Sequence, residues 1–502
     1  EKCGLGKEKC LFAGLSEEPV AISLGQEIEE SRFTPEDLVE YAECLRRETD
    51  LLGQWFRDDL FSARDRMGGF ELEAWLVDDD ARPAPVNETF LKRLDNPMVV
   101  PELARFNVEL NDHPQHLWGS ALGRFEASLG ATWNQCRQAA ADLDTSLLMI
   151  GILPTVQESE LNQGNMSGLK RYRALNEQVL RMREGRPLEL DIHGRQHLST
   201  IHHTVMLEAA TTSFQLHLKV HPRDAVRAYN AGIILSAPMV AASANSPYLF
   251  GHDLWDETRI PLFEQSVDVG GLAGASHGPL HRVTFGSGYA RESIMECFVE
   301  NEQHYPVMLP MQFHDGLEQM SHLRQHNGTI WRWNRPLIGF DYDGIPHLRI
   351  EHRVVPGGPT ILDVIANAAL FFGWMRELIE ADEPPEMHIP FATARDNFYA
   401  AARHGLDAHV TWYDGEKGTM RALLQKLLPL ARTGLESLEI DRDDITRYMD
   451  VIGARLQGGQ TGSAWQRAWV ARHGNDMAAM TAAYLARQDA GHPVHAWDLE
   501  RD

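Results

Sequence analysis

The chain has 502 residues, 43% of them apolar and 24% charged, which is ordinary globular composition. That length suits one large enzyme domain with additions, or about two or three average domains. With 72 acidic against 47 basic residues the formal net charge is −25, which argues against sequence-independent binding to nucleic acid or to an anionic membrane.

The chain opens Glu1-Lys2-Cys3 without Met, so a missing or processed start is expected, and no signal-peptide pattern is visible. Residues 1–30 read as a loose lead-in. Thr34-Pro35-Glu36 then opens a helix, with Thr34 as N-cap, Pro35 at the first helical position and apolar residues at Leu38, Tyr41, Leu45 and Leu51. The first strong strand runs from Gly69 to Val77. Segments 133–150 and 170–184 read as helices, 211–221 as a strand and 222–242 as a helix. The last contains the longest apolar stretch, Ala231 to Ala242, short of the roughly 18 residues of a membrane span.

Residues 251–345 are rich in Gly, Pro, His and Trp and read as long loops with short strands. A strand returns at 347–355 and ends at Pro356-Gly357-Gly358-Pro359. Beyond Thr360 the pattern is almost wholly helical. Strands first and helices last predict an α+β fold. The expected division is a lead-in and helix over 1–60, a catalytic domain over 61–380 and a helical region over 381–502 packed on it. The five cysteines (Cys3, Cys10, Cys44, Cys136 and Cys297) are scattered, with no CxxC pair, so no disulfide framework is expected and a reducing cytoplasm is.

Four predicted strands share one feature. Period two puts Phe70, Leu72, Ala74 and Leu76 on one face and Glu71, Glu73 and Trp75 on the other. Phe106, Val108 and Leu110 likewise oppose Asn107, Glu109 and Asn111. The polar face of 213–220 is Ser213, Gln215, His217 and Lys219; that of 348–354 is Arg349, Glu351 and Arg353. An antiparallel sheet often has one solvated face. Solvated strands, however, favour Thr, Lys and mixed charges, whereas these repeat Glu-x-Glu, Gln-x-His and Arg-x-Glu-x-Arg. Carboxylates at that density repel one another unless a cation lies between them. Oxygen ligands with one imidazole suit Mg²⁺, or Mn²⁺, better than Zn²⁺. Arginines beside them suit phosphoryl oxygens.

These residues resemble the glutamate–cysteine ligase family, in the carboxylate–amine ligase branch of bacteria and plants, whose catalytic fold is shared with glutamine synthetase. The resemblance implies an antiparallel sheet with helices on its outer face. Gly69-Phe70-Glu71-Leu72-Glu73 resembles the family's first-strand Glu-x-Glu, which implies metal-binding roles for Glu71 and Glu73. Glu102 and Glu109 resemble the next acidic pair, and Gln215-Leu216-His217 resembles the strand that brings a His to a metal. Arg349-Ile350-Glu351-His352-Arg353 resembles the Arg-x-Glu-x-Arg strand, with Glu351 a metal ligand and Arg353 at the transferred phosphate. The implied metal set is therefore Glu71, Glu73, Glu102, Glu109, His217 and Glu351. Glu71, Arg349 and Arg353 are expected to be catalytic, and Arg353, Lys219 and Arg171 to meet ATP.

Looser matches extend the resemblance over roughly 65–410. Ser243-Ala244-Asn245-Ser246-Pro247 resembles the Asn-Ser-Pro turn, Arg171-Tyr172 an Arg-Tyr pair, and 397–408 a late helical motif. Arg259 lies where the family places an arginine for a substrate carboxylate. Arg259, Asn245, Gln215 and Trp333 are expected to bind substrate. The aromatic, basic run 329–336 departs from the family, with Trp331 or Trp333 either stacking a ring or simply packed. His202, His203 and His281 are open to ligand, acid/base or structural roles. The implied reaction consumes ATP with Mg²⁺ and joins a small carboxylic or amino acid to an amine through an acyl phosphate. The alternatives are a ligase of the same family with other substrates, a phosphagen-type kinase, and a non-catalytic ATP-binding protein.

Overall fold

The computed structural model describes residues 33–64, 66–270 and 281–500; the lead-in, with Cys3 and Cys10, lies outside them. An eight-stranded antiparallel sheet organises the described residues. Its strands are β1 (Met67–Val77), β2 (Val99–Pro101), β3 (Asn107–Asn111), β4 (Gln115–His116), β5 (Ser146–Leu148), β6 (Phe214–Val220), β7 (Asn334–Phe340) and β8 (Pro346–His352). Their order is β7-β8-β6-β1-β3-β2, with β4 and β5 pairing the two ends of β1. The expected α+β architecture is the observed one.

The apolar face is the floor of the fold. Phe70, Leu72, Ala74, Val108, Leu110, Phe214, Leu216 and Ile350 are buried. Three helices cover them: Ala121–Ala141, Ala225–Ser243 and Ile361–Glu380. Phe70 meets Phe125 at 5.3 Å between ring centres, and His352 stacks on Phe371 at 4.6 Å. Fully burying such side chains stabilises by about 1.5–3 kcal/mol each. His352 stays neutral in this floor. Burial pulls its pKa down to about 3, and its Nδ1 lies 2.7 Å from Asn334 Oδ1. Ala225–Ser243 is apolar all round because it is enclosed. By length and composition the stretch 222–243 could cross a membrane, but 89% of its most apolar 18-residue window is buried inside the fold.

The opening helix, Pro35–Arg57, begins as its cap predicts: Asp37 N–H donates to Thr34 Oγ1 at 3.2 Å and Thr34 N–H to Asp37 at 2.7 Å. Elsewhere the expected elements need correction. The helix read over 133–150 spans 121–141, and 146–148 is instead strand β5 against β1. Asp144, at φ 53°, makes the turn between them without a Gly or Pro to mark it. The stretch 251–345, read as loops and short strands, holds helices Arg259–Ser266, Met295–His304 and Ser321–Gly328 as well as the edge strand β7. A hairpin, Leu188–His193 with His197–His202, adds to the expected elements; its first strand alternates strictly between buried and exposed residues.

Candidate active site

Pairing register turns the alternating strands into rows across the sheet's second face. Glu71 lies opposite Gln215 on one side and Asn111 on the other. One row along, Glu73 lies opposite Glu109. In the other direction His217 lies opposite both Gly69 and Glu351, and Glu351 lies opposite Arg335. The last row pairs Lys219 with Arg349. Gly69 leaves room above the imidazole, since a Cβ there would meet nothing nearer than Pro114 at 3.8 Å.

Two groups of ligand atoms result. Glu71, His217 and Glu351 form one, and Glu73, Glu102 and Glu109 the other; within each, one atom per residue lies within 4.8 Å of the others. His217 Nε2 is 3.3 Å from Glu71 Oε1 and 3.9 Å from Glu351 Oε1. Both its ring nitrogens are buried without a well-formed hydrogen bond among the described residues. An orphaned buried imidazole between two carboxylates fits a cation's ligand set. In the second group, Ser213 donates to Glu73 through its N–H at 2.7 Å and its hydroxyl at 2.9 Å. Gln215 Nε2 donates to Glu73 Oε1 at 3.1 Å, and Asn111 Nδ2 to Glu109 Oε1 at 2.9 Å. These donors fix the carboxylates, whose remaining lone pairs can meet a metal.

The electrostatics divide the two groups. Burial pushes the Glu71 and Glu351 carboxyls up, but neighbouring His and Arg side chains outweigh it. His217 and Arg353 hold Glu71 below the ordinary value, and Arg335, Arg353 and His217 hold Glu351 well below it. The second group has less positive charge nearby. Burial and then the charge of Glu102 push Glu73 up to about 7. Burial and then Glu71, Glu102 and Glu73 push Glu109 well above its usual value. Glu102 is raised by burial against the pull of Arg171. Without a cation, this second group holds protons that a divalent ion would displace.

Basic groups border the acids. Arg353 Nη1 is 3.2 Å from Glu351 Oε2 and also donates to Gln215 Oε1. The Nε atoms of Arg353 and Arg349 are buried with no acceptor among the described residues. Arg171 Nη2 donates to Tyr172 Oη at 2.7 Å, close enough to Glu102 and Glu109 to feel their charge.

Four expected binding residues lie elsewhere in the hydrogen-bond network. Lys219 Nζ is held 2.7 Å from Asp341 Oδ1, so its charge is neutralised within the fold. Arg259 is 2% exposed; it pairs with Glu257 at 3.2 Å and donates to Arg353 O and Val354 O at 3.2 and 2.5 Å. It props the backbone behind Arg353 and faces no open space. Asn245 is fully buried, with Nδ2 donating to Gly357 O and Tyr484 Oη, both at 2.8 Å. Trp333 is 1% exposed and packs on Phe263 and Phe398, its Nε1 donating to Glu264 at 2.9 Å. Among the described residues, Phe263, Phe398 and the Arg259 guanidinium surround the Trp333 ring. His202 pairs with Glu158 at 3.1 Å and His281 with Asp268 at 3.3 Å, neither in the two ligand groups.

Sequence reasoning missed three contributors. Arg335, on β7, grips Glu351 with two bonds, Nε–Oε2 at 2.7 Å and Nη2–Oε1 at 3.0 Å. Ser213, on the polar face by period two, anchors Glu73 through its N–H and its hydroxyl. Glu208, in the 3₁₀ turn Val205–Ala210, is a further carboxylate, raised well above its ordinary value by burial and then by Glu102 and Glu73. A Glu in a short irregular turn has no periodicity to announce it.

Among solved structures, a glutamate–cysteine ligase from Francisella tularensis, in complex with AMP, is 11% identical with a TM-score of 0.49, covering 88% of this chain and 91% of that one. A bifunctional glutathione synthetase from Pasteurella multocida is 9% identical with a TM-score of 0.48, covering 88% of this chain and 54% of that one. The complex of the prokaryotic ubiquitin-like protein Pup with its ligase PafA is 10% identical with a TM-score of 0.34, covering 81% and 68%. The comparison with curated proteins gave no match. The family model described as glutamate-cysteine ligase family 2 matches residues 67–482, from the first residue of β1 into the last long helix. Because that match takes in every strand of the acidic sheet face and most of the chain, the protein belongs to glutamate–cysteine ligase family 2, a family of carboxylate–amine ligases.

Proposed function

We propose that the protein is an ATP- and Mg²⁺-dependent ligase that activates a carboxylate as an acyl phosphate and passes the acyl group to an amine. Glutamate and cysteine are the first substrate pair to test. The observation that carries this reading is the pair of ligand groups side by side on one sheet face, with arginines at their border. Glu71, His217 and Glu351 would hold one divalent ion and Glu73, Glu102 and Glu109 another. Bound Mg²⁺ supplies charge neutralisation at phosphate oxygens.

The chain's own residues do the positioning. Arg335 fixes both oxygens of Glu351, and Ser213, Gln215 and Asn111 fix the acids of the second group. The orphaned Nε donors of Arg349 and Arg353 are suited to the oxygens of the transferred phosphoryl group, where they need no reorganisation. In the first step a carboxylate oxygen bonds to the γ-phosphorus and ADP leaves. In the second, the amine nitrogen bonds to the acyl carbon, phosphate leaves, and the nitrogen gives up its proton. No enzyme nucleophile is required. Consistent with that, the thiol of buried Cys136 is pushed up to about 12 by burial, out of the reactive range.

The test is a panel of amino acids and small acids with ATP and Mg²⁺, scored by phosphate release and by the mass of the product. An amide product with ADP and phosphate in equal amounts is expected. A stable phosphorylated guanidino product with no free phosphate would make it a kinase instead. Failure to bind Mg-ATP by calorimetry would leave a non-catalytic relative.

A further inference from the structure

The hairpin Leu188–His193/His197–His202 carries a second kind of ligand group. Its buried side is Leu188, Leu190, Ile192 and Leu198, and its exposed side includes Asp191, His193, His197 and Ser199. His193 and His197 are the last facing pair before the turn, and Asp191 sits diagonally behind, opposite Ser199. The two imidazoles lie parallel, 4.0 Å between ring centres with 7° between planes. Both Nε2 atoms turn to the same carboxylate: His197 Nε2 is 2.6 Å from Asp191 Oδ1 and His193 Nε2 is 3.6 Å from Asp191 Oδ2.

This arrangement is held from beneath. Gly194 lies so close to Leu254 that a Cβ would come within 2.5 Å of its Cα. Gln196 N–H donates to Asp253 O at 2.8 Å, and Trp255 Nε1 donates to His193 O at 2.9 Å. At the other end, Asp191 N–H donates to Gln265 Oε1 at 2.7 Å. The backbone under all three ligands is therefore fixed by contacts with a separate part of the chain. A cation binding there would not have to order the hairpin first.

We infer that Asp191, His193 and His197 form a surface site for a Zn²⁺-class divalent cation, separate from the acidic sheet face. Two imidazole nitrogens and one carboxylate oxygen within 4.8 Å of one another make an open three-ligand set. The nitrogen-rich donors favour Zn²⁺ over Mg²⁺, the reverse of the sheet face, and exposure leaves the remaining positions to water. The ligands come from a hairpin whose side chains take no part in either acidic group. The inference stands whether or not the ligase reading does.

The experiment uses the full chain with millimolar Mg²⁺ to occupy the sheet face, and titrates Zn²⁺ by calorimetry. A Co²⁺ titration followed by visible absorption reports nitrogen ligation. Expected is about one Zn²⁺ site per chain that weakens at least tenfold, roughly, in His197→Asn and again in Asp191→Asn, with the Co²⁺ spectrum lost in His193→Asn/His197→Asn. Thermal unfolding of each variant in chelator should match the parent, because all three side chains are more than half exposed. Zn²⁺ stoichiometry, affinity and Co²⁺ spectrum unchanged in the double variant would overturn the site. So would a Zn²⁺ signal that disappears only in Glu71→Gln.

Discussion

Glu71 and Glu351 look alike in sequence, each an acid on an alternating strand, yet their surroundings separate them. Glu351 is clamped by Arg335 and Arg353 in a buried pair. Glu351→Gln therefore leaves buried guanidinium charge uncompensated, which costs about 3–5 kcal/mol. Glu71 is only partly buried and meets one imidazole. Glu71→Gln should lose amide formation by about 100-fold or more while its melting temperature stays near the parent's; Glu351→Gln should lose both. Steady-state rates and calorimetric melting of the two variants check this contrast, and an active Glu71→Gln would remove that residue from the site. The second acid group gives a pH prediction. Glu73 titrates at about 7 in the fold against an ordinary 4.5, so the metal-free folded chain binds more protons than the unfolded chain between those values. Stability in chelator should thus fall as pH rises from about 4.5 to 7, by up to about 3 kcal/mol from this residue. Glu102, Glu109 and Glu208 push in the same direction. Added Mg²⁺ should flatten or reverse the slope, which melting curves across pH with and without metal will show. The acids themselves were legible, because Glu-x-Glu and Arg-x-Glu-x-Arg sit on strands with clean period two. Arg335 was not, because Pro336 and Gly339 break the look of a strand on β7. Lys219 and Arg259 shared the right strands or motifs, but whether a buried cation faces a site or a private acid such as Asp341 or Glu257 depends on residues far away in sequence.

At the scale of elements, long helices were legible and the small pieces between them were not. The helix 222–242 announces itself by the apolar stretch 231–242 and a Pro near its start. Strand β5, three residues after an acidic turn, reads as the tail of a helix, and only its pairing with β1 makes it a strand. The floor beneath the site rests on a helix pair that sequence could not bring together. Ile361–Glu380 and Met420–Ser437 touch backbone to backbone: a Cβ on Gly434 would fall 1.9 Å from Gly373 O, and one on Gly373 would fall 2.3 Å from Ala431 O. The first of these helices also places Phe372 against Gly68 of β1, where a Cβ would come within 2.8 Å of its ring. Gly434→Ala must separate the helices. It should destabilise by about 1–3 kcal/mol and lower the melting temperature by roughly 2–4 °C or more, with activity at low temperature largely kept because no ligand residue moves its donors. Loss of activity without loss of stability would contradict this reading of the contact.

Over the whole molecule, the residues beyond 410 carry none of the motifs read from the sequence, although the family match runs on to residue 482, and they close the fold around the site's supports. Arg455 is 1% exposed; its Nη2 lies 2.8 Å from Asp363 Oδ1 and its Nη1 donates to Ala242 O at 2.9 Å and Asn367 Oδ1 at 2.6 Å. Asp363 in turn accepts from Val494 N–H at 3.0 Å. Tyr484 donates to Met149 O at 2.9 Å, just past β5, and accepts from Asn245. One buried ion pair thus joins helices 225–243, 361–380 and 442–458 and the chain's last segment. A charge in that position cannot be left alone: Arg455→Ala strands the Asp363 carboxylate in a dry core, at a cost of about 3–5 kcal/mol, a large part of the roughly 5–15 kcal/mol available to a whole domain. Replacing both partners, as Asp363→Asn with Arg455→Met, removes the charge with its partner and should recover part of the loss, while truncation after residue 458 should leave no cooperative unfolding at all. Denaturant unfolding of the single, double and truncated chains separates these outcomes. If the truncated chain unfolds cooperatively with the parent's midpoint, the C-terminal helices are an appendage and the site is supported without them.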